Sequence, residues 1–274
     1  MDIPQEVLKS VIFVGYKPHA DKETVSATAF LLMRGGERLA FNYLVTARHV
    51  IDGIRNLGLD SIYIRVNTTS GDAAWKRTAL KDWHNHPGGK QVDVAAASFT
   101  WSDDLQHLPY PIDGITTPEV ISKYQIGTGN DVFIAGLFHP HHGKKNNIPI
   151  VRVGTIAAMP TEKVDTTLGP MDAYLIDTRA IHGLSGSPVF LAFGTTRSVG
   201  GILLNQFQKV YLLGLVHGQY IVKGEDLNLG IEIVVPVERI VETIKQPAIA
   251  DEEKELENRA GRHGQRFRDR GLFL

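Results

Sequence analysis

Cysteine is absent from this 274-residue chain. Disulfides, thiolate metal sites and cysteine nucleophiles are therefore excluded, and a reducing compartment or a bacterial source suits the chain better than secretion does. Charge of either sign is not in excess: 29 Lys and Arg stand against 30 Asp and Glu, a formal net charge of −1. Nothing global draws such a chain to nucleic acid or to an anionic membrane. Long apolar runs are missing as well. Stretches such as residues 29–33 and 231–237 fall far short of a bilayer span. The opening Met1-Asp2-Ile3-Pro4-Gln5-Glu6-Val7 has no basic segment leading into an apolar one, as a signal peptide would. The expectation is a cytoplasmic protein with no membrane and no nucleic-acid partner.

What the chain does have is apolar substance and turn chemistry. Hydrophobic residues make up 43%, enough for one large β domain or two small ones. Short β-rich runs alternate with Gly, Pro, Asn and Asp, the pattern of an all-β barrel or sandwich. Strands are expected over residues 10–17, 27–33, 39–46, 61–66, 79–83 and 93–99. A second set is expected over 131–137, 150–159, 173–178, 188–192, 199–205, 209–218 and 229–235. Between the two sets, Pro109-Tyr110-Pro111-Ile112-Asp113-Gly114 is rich in breakers and reads as a link. Pro236 sits in the first turn of a helix that puts Val237, Ile240, Val241 and Ile244 on one face. From Gln246 onward come 6 acidic and 6 basic residues, acidic first and basic after. That composition predicts a solvated, flexible terminus that is partly helical or disordered; the alternative is a tail that binds a protein partner or touches nucleic acid.

Three short motifs carry chemistry. They are Thr46-Ala47-Arg48-His49-Val50, Val92-Asp93-Val94-Ala95 and Gly183-Leu184-Ser185-Gly186-Ser187-Pro188, with gaps of 44 residues (49 to 93) and 92 residues (93 to 185). A serine hydroxyl is a poor nucleophile near neutral pH. It needs a base in hydrogen-bond reach, and the base needs an orienting partner on its other nitrogen. His49 follows a β-run and precedes a helical turn, which fixes the imidazole while leaving one nitrogen toward a cleft. Asp93 heads an apolar run, where an acid is costly to bury unless paired, and His49 would pair it. Ser185 lies between glycines, so the Gly183 and Ser185 amides have room to converge on a substrate oxygen as an oxyanion hole. The order His, Asp, Ser is one of three unrelated orders that build the same triad.

With these motifs, and with Leu213-Gly214-Leu215-Val216-His217-Gly218 and Gly230-Ile231-Glu232-Ile233-Val234-Val235-Pro236, the chain resembles the chymotrypsin-like, or trypsin-like, serine endopeptidases. It looks closest to the bacterial trypsin-like peptidase domains, over about residues 8–245. The resemblance implies an all-β fold of two six-stranded antiparallel barrels followed by a C-terminal helix. The division it suggests is 1–110 for the barrel with His49 and Asp93, 111–125 for a linker, 126–245 for the barrel with Ser185, and 246–274 for the charged tail. It implies His49 as general base, Asp93 as orienting acid, Ser185 as nucleophile, and peptide-bond hydrolysis through an acyl-enzyme without metal or organic cofactor. The competing reading is a catalytically silent binding module of the same fold.

Two departures matter. Leu184 stands where digestive members carry an Asp that pairs with a freshly cut N-terminus, so a zymogen of that kind is not expected. Only about 29 residues follow the terminal helix, so no peptide-sensing second domain is expected. The specificity pocket is expected along the segment before Ser185 and the strand through Val216 and His217. If Arg179 or His217 points into it, an acidic or Gln-like side chain before the scissile bond is favoured. If both point away, Ala180, Leu215 and Val216 make a pocket for small or apolar side chains. Phe138-His139-Pro140-His141-His142 and Trp83-His84-Asn85-His86 are histidine-rich but read as surface loops rather than metal sites.

Overall fold

The computed structural model describes residues 3–19, 22–36, 39–100, 102–179, 183–193, 196–199, 202–205, 209–221 and 229–269. The N-terminal half begins with a short helix, α1 (Gln5–Leu8), and then forms strands β1 (Val11–His19), β2 (Lys22–Gly35) and β3 (Ala40–Thr46). Helix α2 (Arg48–Asn56) follows, then β4 (Ser61–Asn67), β5 (Ala73–Ala79), β6 (His84–Asn85), β7 (Ala95–Phe99) and β8 (Tyr110–Pro111). Helix α3 (Pro118–Tyr124) joins the halves, capped by the Thr117 hydroxyl, which accepts from the Val120 amide. The C-terminal half contains β9 (Asp131–Gly136), β10 (Ile150–Ala158), β11 (Val164–Thr166), β12 (Gly169–Met171), β13 (Tyr174–Asp177) and β14 (Pro188–Phe193). It continues through β15 (Thr196–Val199), β16 (Ile202–Asn205), β17 (Lys209–Gln219) and β18 (Ile231–Pro236), and ends in α4 (Val237–Ile244) and α5 (Pro247–Asp269).

The six strands β10-β13-β18-β17-β14-β9 close a barrel, as the motif resemblance implies. The N-terminal half forms the half-barrel that completes the expected chymotrypsin-like double barrel. It is an eight-stranded sheet in the order β5-β4-β1-β2-β3-β7-β6, with β8 added parallel to β2, and among the described residues no pairing closes it into a ring. Strand periodicity decides where each side chain goes. On β18, Val234 enters the interior of the closed barrel with Ile176, Leu184, Val189 and Val216. Its neighbours Ile233 and Val235 face the opposite way, into a larger apolar cluster with Phe30, Leu44 and Val45 of the N-terminal sheet. That shared cluster joins the halves.

In the tail, residues 247–269 are helical. The first turns of α5 are held against the N-terminal sheet: Ile249 is fully buried, Glu253 accepts from Arg34 and Tyr43, and Glu252 accepts from Ser98. Helix α4 matches the expected span, although Thr243 is buried where Val241 is only half covered. Among the described residues no helix is long and apolar enough to cross a membrane.

Candidate active site

Each of the three motif residues sits where a regular element ends. Strand β3 stops at Thr46, and His49 is the second residue of α2, one turn into a new direction. Asp93 lies two residues before β7, which pairs with β3, so the ladder between these strands brings the acid beside the histidine. The fit is close. The Asp93 carboxylate accepts from the His49 backbone amide at 2.8 Å through Oδ1 and from His49 Nδ1 at 2.7 Å through Oδ2. Asp93 is wholly buried, yet it has partners for both oxygens.

A third group was not anticipated in this role. His217, on β17, donates from Nδ1 to the same Asp93 Oδ2 at 2.5 Å. Its ring meets that of His49 edge to face, with centroids 5.5 Å apart. Burial raises the Asp93 pKa, but the hydrogen bonds from His217 and His49 and the charge they can carry more than offset this, so the carboxyl is held well below its usual range. An ionised carboxylate only accepts hydrogen bonds, so both Nδ1 atoms carry hydrogen and both neutral rings present a bare Nε2. For His49, burial works against the charged ring, while the Asp93 hydrogen bond and charge outweigh it. The net effect raises its pKa above 6.5.

Ser185 is held by backbone rather than by side chain. Its carbonyl accepts from the Thr28 amide at 3.1 Å, and the Thr28 hydroxyl donates to the Gly183 carbonyl at 2.9 Å while accepting from the Leu137 amide at 2.9 Å. On the other side, the Gly186 amide donates to the Val216 carbonyl at 2.8 Å and the Val216 amide to the Ser187 carbonyl at 2.9 Å. Gly186 is required here: its φ is 79°, and a Cβ would lie 2.3 Å from the Thr28 carbonyl oxygen and the Thr46 hydroxyl. Leu184 points into the barrel interior. The amides of Gly183 and Ser185 donate to no acceptor among the described residues. The Ser185 hydroxyl donates to the His217 carbonyl at 3.3 Å, and no hydrogen bond joins it to His49 in this arrangement.

The pocket residues expected from sequence fall differently. Arg179 is exposed, Val216 is buried in the barrel core, and Ala180 lies outside the described residues. His217 is correctly placed on the strand beside Ser185, but its ring is committed to Asp93 instead of a pocket, because a buried carboxylate attracts the nearest N–H donor. His49, Asp93 and His217 are also the one group among the described residues whose donor atoms cluster, within 4.8 Å, as a metal site requires. At 2.5 and 2.7 Å the nitrogens and the carboxylate oxygen are joined directly by hydrogen bonds. An ion bound to these same atoms at roughly 2.0–2.2 Å would have to push them apart.

No protein-family model and no curated protein matches the sequence. Solved structures do. The MamO protease domain from Magnetospirillum magneticum (apo form) superposes with a TM-score of 0.56 at 16% identity, over 88% of this chain and 98% of that one. Deg5 superposes with a TM-score of 0.51 at 14% identity, over 86% of this chain and 88% of that one. The fold is that of the chymotrypsin-like proteases. Within this chymotrypsin-like fold, His49 and Asp93 flank strands of the N-terminal sheet and Ser185 precedes a strand of the closed barrel, and His217 links them, bonding Asp93 through its ring and Ser185 through its carbonyl.

Proposed function

We propose that the protein is a serine endopeptidase that hydrolyses peptide bonds through an acyl-enzyme. The observation that carries this reading is the buried Asp93 carboxylate orienting the His49 ring through Nδ1, which leaves Nε2 unprotonated. In the reaction, a turn about the Ser185 side-chain bond takes its hydroxyl from the His217 carbonyl to His49 Nε2. As Ser185 Oγ attacks the scissile carbonyl carbon, Nε2 takes the hydroxyl proton and Asp93 stabilises the imidazolium. The carbonyl oxygen becomes an oxyanion, for which the Gly183 and Ser185 amides, which have no acceptor among the described residues, would be the donors. Collapse expels the amine, which leaves with the proton from Nε2. Water then repeats the sequence on the acyl-Ser185 ester and releases the acid.

One observation favours the second reading, a protease fold kept as a binding module: the Ser185 hydroxyl rests on a carbonyl and not on the base. Incubating the full chain with a complex peptide mixture and sequencing the products separates the two. An endopeptidase yields new termini that vanish with Ser185→Ala; products that are absent, or that persist in the variant, refute the proposal.

A further inference from the structure

One charged segment has no part in the chemistry above. It is the connection between β9 and β10, which carries Phe138-His139-Pro140-His141-His142-Gly143-Lys144-Lys145. No acidic residue lies between Asp131 and Glu162 in the sequence, so the segment has no carboxylate of its own to neutralise it. It starts at the nucleophile turn. A Cβ built on Gly183 would stand 3.0 Å from the His139 ring and 3.1 Å from the Leu137 carbonyl oxygen.

From there the loop crosses onto the N-terminal sheet. Thr28, Phe13 and Arg65 stand in one row across β2, β1 and β4. Thr28 holds the Ser185 turn, Phe13 shares an apolar cluster with Leu137, and Arg65 holds the loop. Two strand spacings separate Thr28 from Arg65, about 10 Å, the length of about three residues of extended peptide. The attachment is firm and uses no carboxylate. Arg65, 6% exposed, donates to the Asn147 amide oxygen at 2.7 Å and to the Lys144 carbonyl at 2.9 Å. The Asn147 side chain donates back to the Arg65 carbonyl at 2.6 Å, and the Asn147 backbone amide donates to Asn67 Oδ1 at 2.7 Å. These acceptors for the guanidinium are neutral, so its charge adds to that of the loop. Lys144 is exposed and has no carboxylate partner among the described residues. Lys145 meets Asp72 at 3.7 Å with both groups exposed, a pair that contributes little.

We propose that this loop selects peptides by charge, favouring aspartate or glutamate within about three residues of the scissile bond on the flank that passes Gly183. Fixed cations attract such a chain during encounter and hold its carboxylates once bound. Because the loop is already docked on Arg65, little ordering has to accompany binding. The whole chain has a net charge of −1, so the attraction is local to this rim. The selectivity rests on the endopeptidase reading for its meaning, but the charge recognition can be measured without turnover.

The test is fluorescence anisotropy of the full chain with a labelled glutamate-bearing peptide and its glutamine twin. Wild type is expected to bind the glutamate peptide about tenfold more tightly at low salt, with the margin shrinking at high salt. The double variant Lys144→Gln, Lys145→Gln is expected to lose most of that margin, and Asp72→Asn, which frees Lys145, to widen it. Equal binding of the two peptides, a double variant that keeps the full margin, or a margin narrowed by Asp72→Asn would each overturn the proposal. Tighter binding of a single-stranded oligonucleotide would reassign the loop to nucleic acid and overturn it too. Should the double variant not fold, the peptide pair on wild type and on Asp72→Asn still decides. Fluorophosphonate labelling run alongside keeps the two readings apart. Where Ser185 is labelled, saturating glutamate peptide is expected to slow the labelling severalfold, and an unchanged rate would overturn the placement. A chain with the loop-dependent margin but no Ser185 adduct keeps the charge recognition and loses the endopeptidase reading. A labelled chain indifferent to the glutamates is an enzyme without this selectivity.

Discussion

At the scale of single residues, the site is organised around one carboxylate with two imidazoles. On the proposed endopeptidase reading His49 must be neutral to take the Ser185 proton, and Asp93 favours its protonated form. The acid limb of kcat/KM is therefore expected to have its midpoint above pH 6.5, the ordinary histidine value. Asp93→Asn should lower kcat by about 10⁴-fold and move the remaining limb to lower pH, which a pH-rate profile would read. His217 acts by drawing off part of the Asp93 charge. His217→Leu removes that donor, concentrates the charge on His49 and should shift the acid limb upward, whereas His217→Ser, which can still donate, should stay near wild type. Equal profiles for both variants would deny His217 this role. Glu232 on β18 is buried with no hydrogen-bond partner for either oxygen among the described residues, and it has the opposite linkage. Its folded pKa of about 8 lies above the 4.5 of a free carboxyl, so the folded state holds a proton that the unfolded state releases in that window. Stability falls as pH rises through it. Glu232→Gln should therefore melt several degrees above wild type at pH 8 and close to it at pH 4.5.

At the scale of elements, the loop bearing Ser185 is held by a residue from the other half of the molecule. Thr28 on β2 pairs with the Ser185 carbonyl, the Gly183 carbonyl and the Leu137 amide. Thr28→Val keeps the shape and strands two buried backbone groups, which should cost about 2–4 kcal/mol in denaturant unfolding. Because the Ser185 loop loosens while other contacts stay, kcat should fall at least tenfold with KM little changed. Sequence made the positions of His49, Asp93 and Ser185 legible, because each depends on its own local segment: a strand end, an apolar run, a glycine-flanked turn. It did not reveal Thr28 or the role of His217, since these depend on what lies in the other half of the molecule. Strand β5 was missed for a different reason. Ala73-Ala74-Trp75-Lys76-Arg77-Thr78-Ala79 forms the sheet edge with no buried residue, so it lacks the apolar alternation that marks a strand.

At the scale of the whole molecule, the C-terminal barrel was legible because its strands are apolar on both faces. The N-terminal half-barrel was legible as a set of short strands too, but the order in which they pair depends on contacts between sequence-distant edges. The tail shows how few contacts can anchor a charged segment. Composition suggested a solvated, partly helical or disordered terminus; Ile249, Glu252 and Glu253 seat the first turns of α5, Glu253 by receiving Arg34 and the buried Tyr43 hydroxyl. Ending the chain after Lys245 should strip these contacts and lower the melting temperature by several degrees, chiefly through the lost Ile249 burial, about 1.5–3 kcal/mol. Calorimetry of the shortened chain would check this, and an unchanged melt would show that the helix merely rests on the sheet.

The central claim is that Ser185 is a nucleophile activated by His49, and intact-mass spectrometry after treatment with a fluorophosphonate tests it most directly. One covalent adduct per chain is expected, mapped to Ser185 and absent from both Ser185→Ala and His49→Ala. A folded wild-type chain that gains no adduct, or an adduct that persists in either variant, would contradict it.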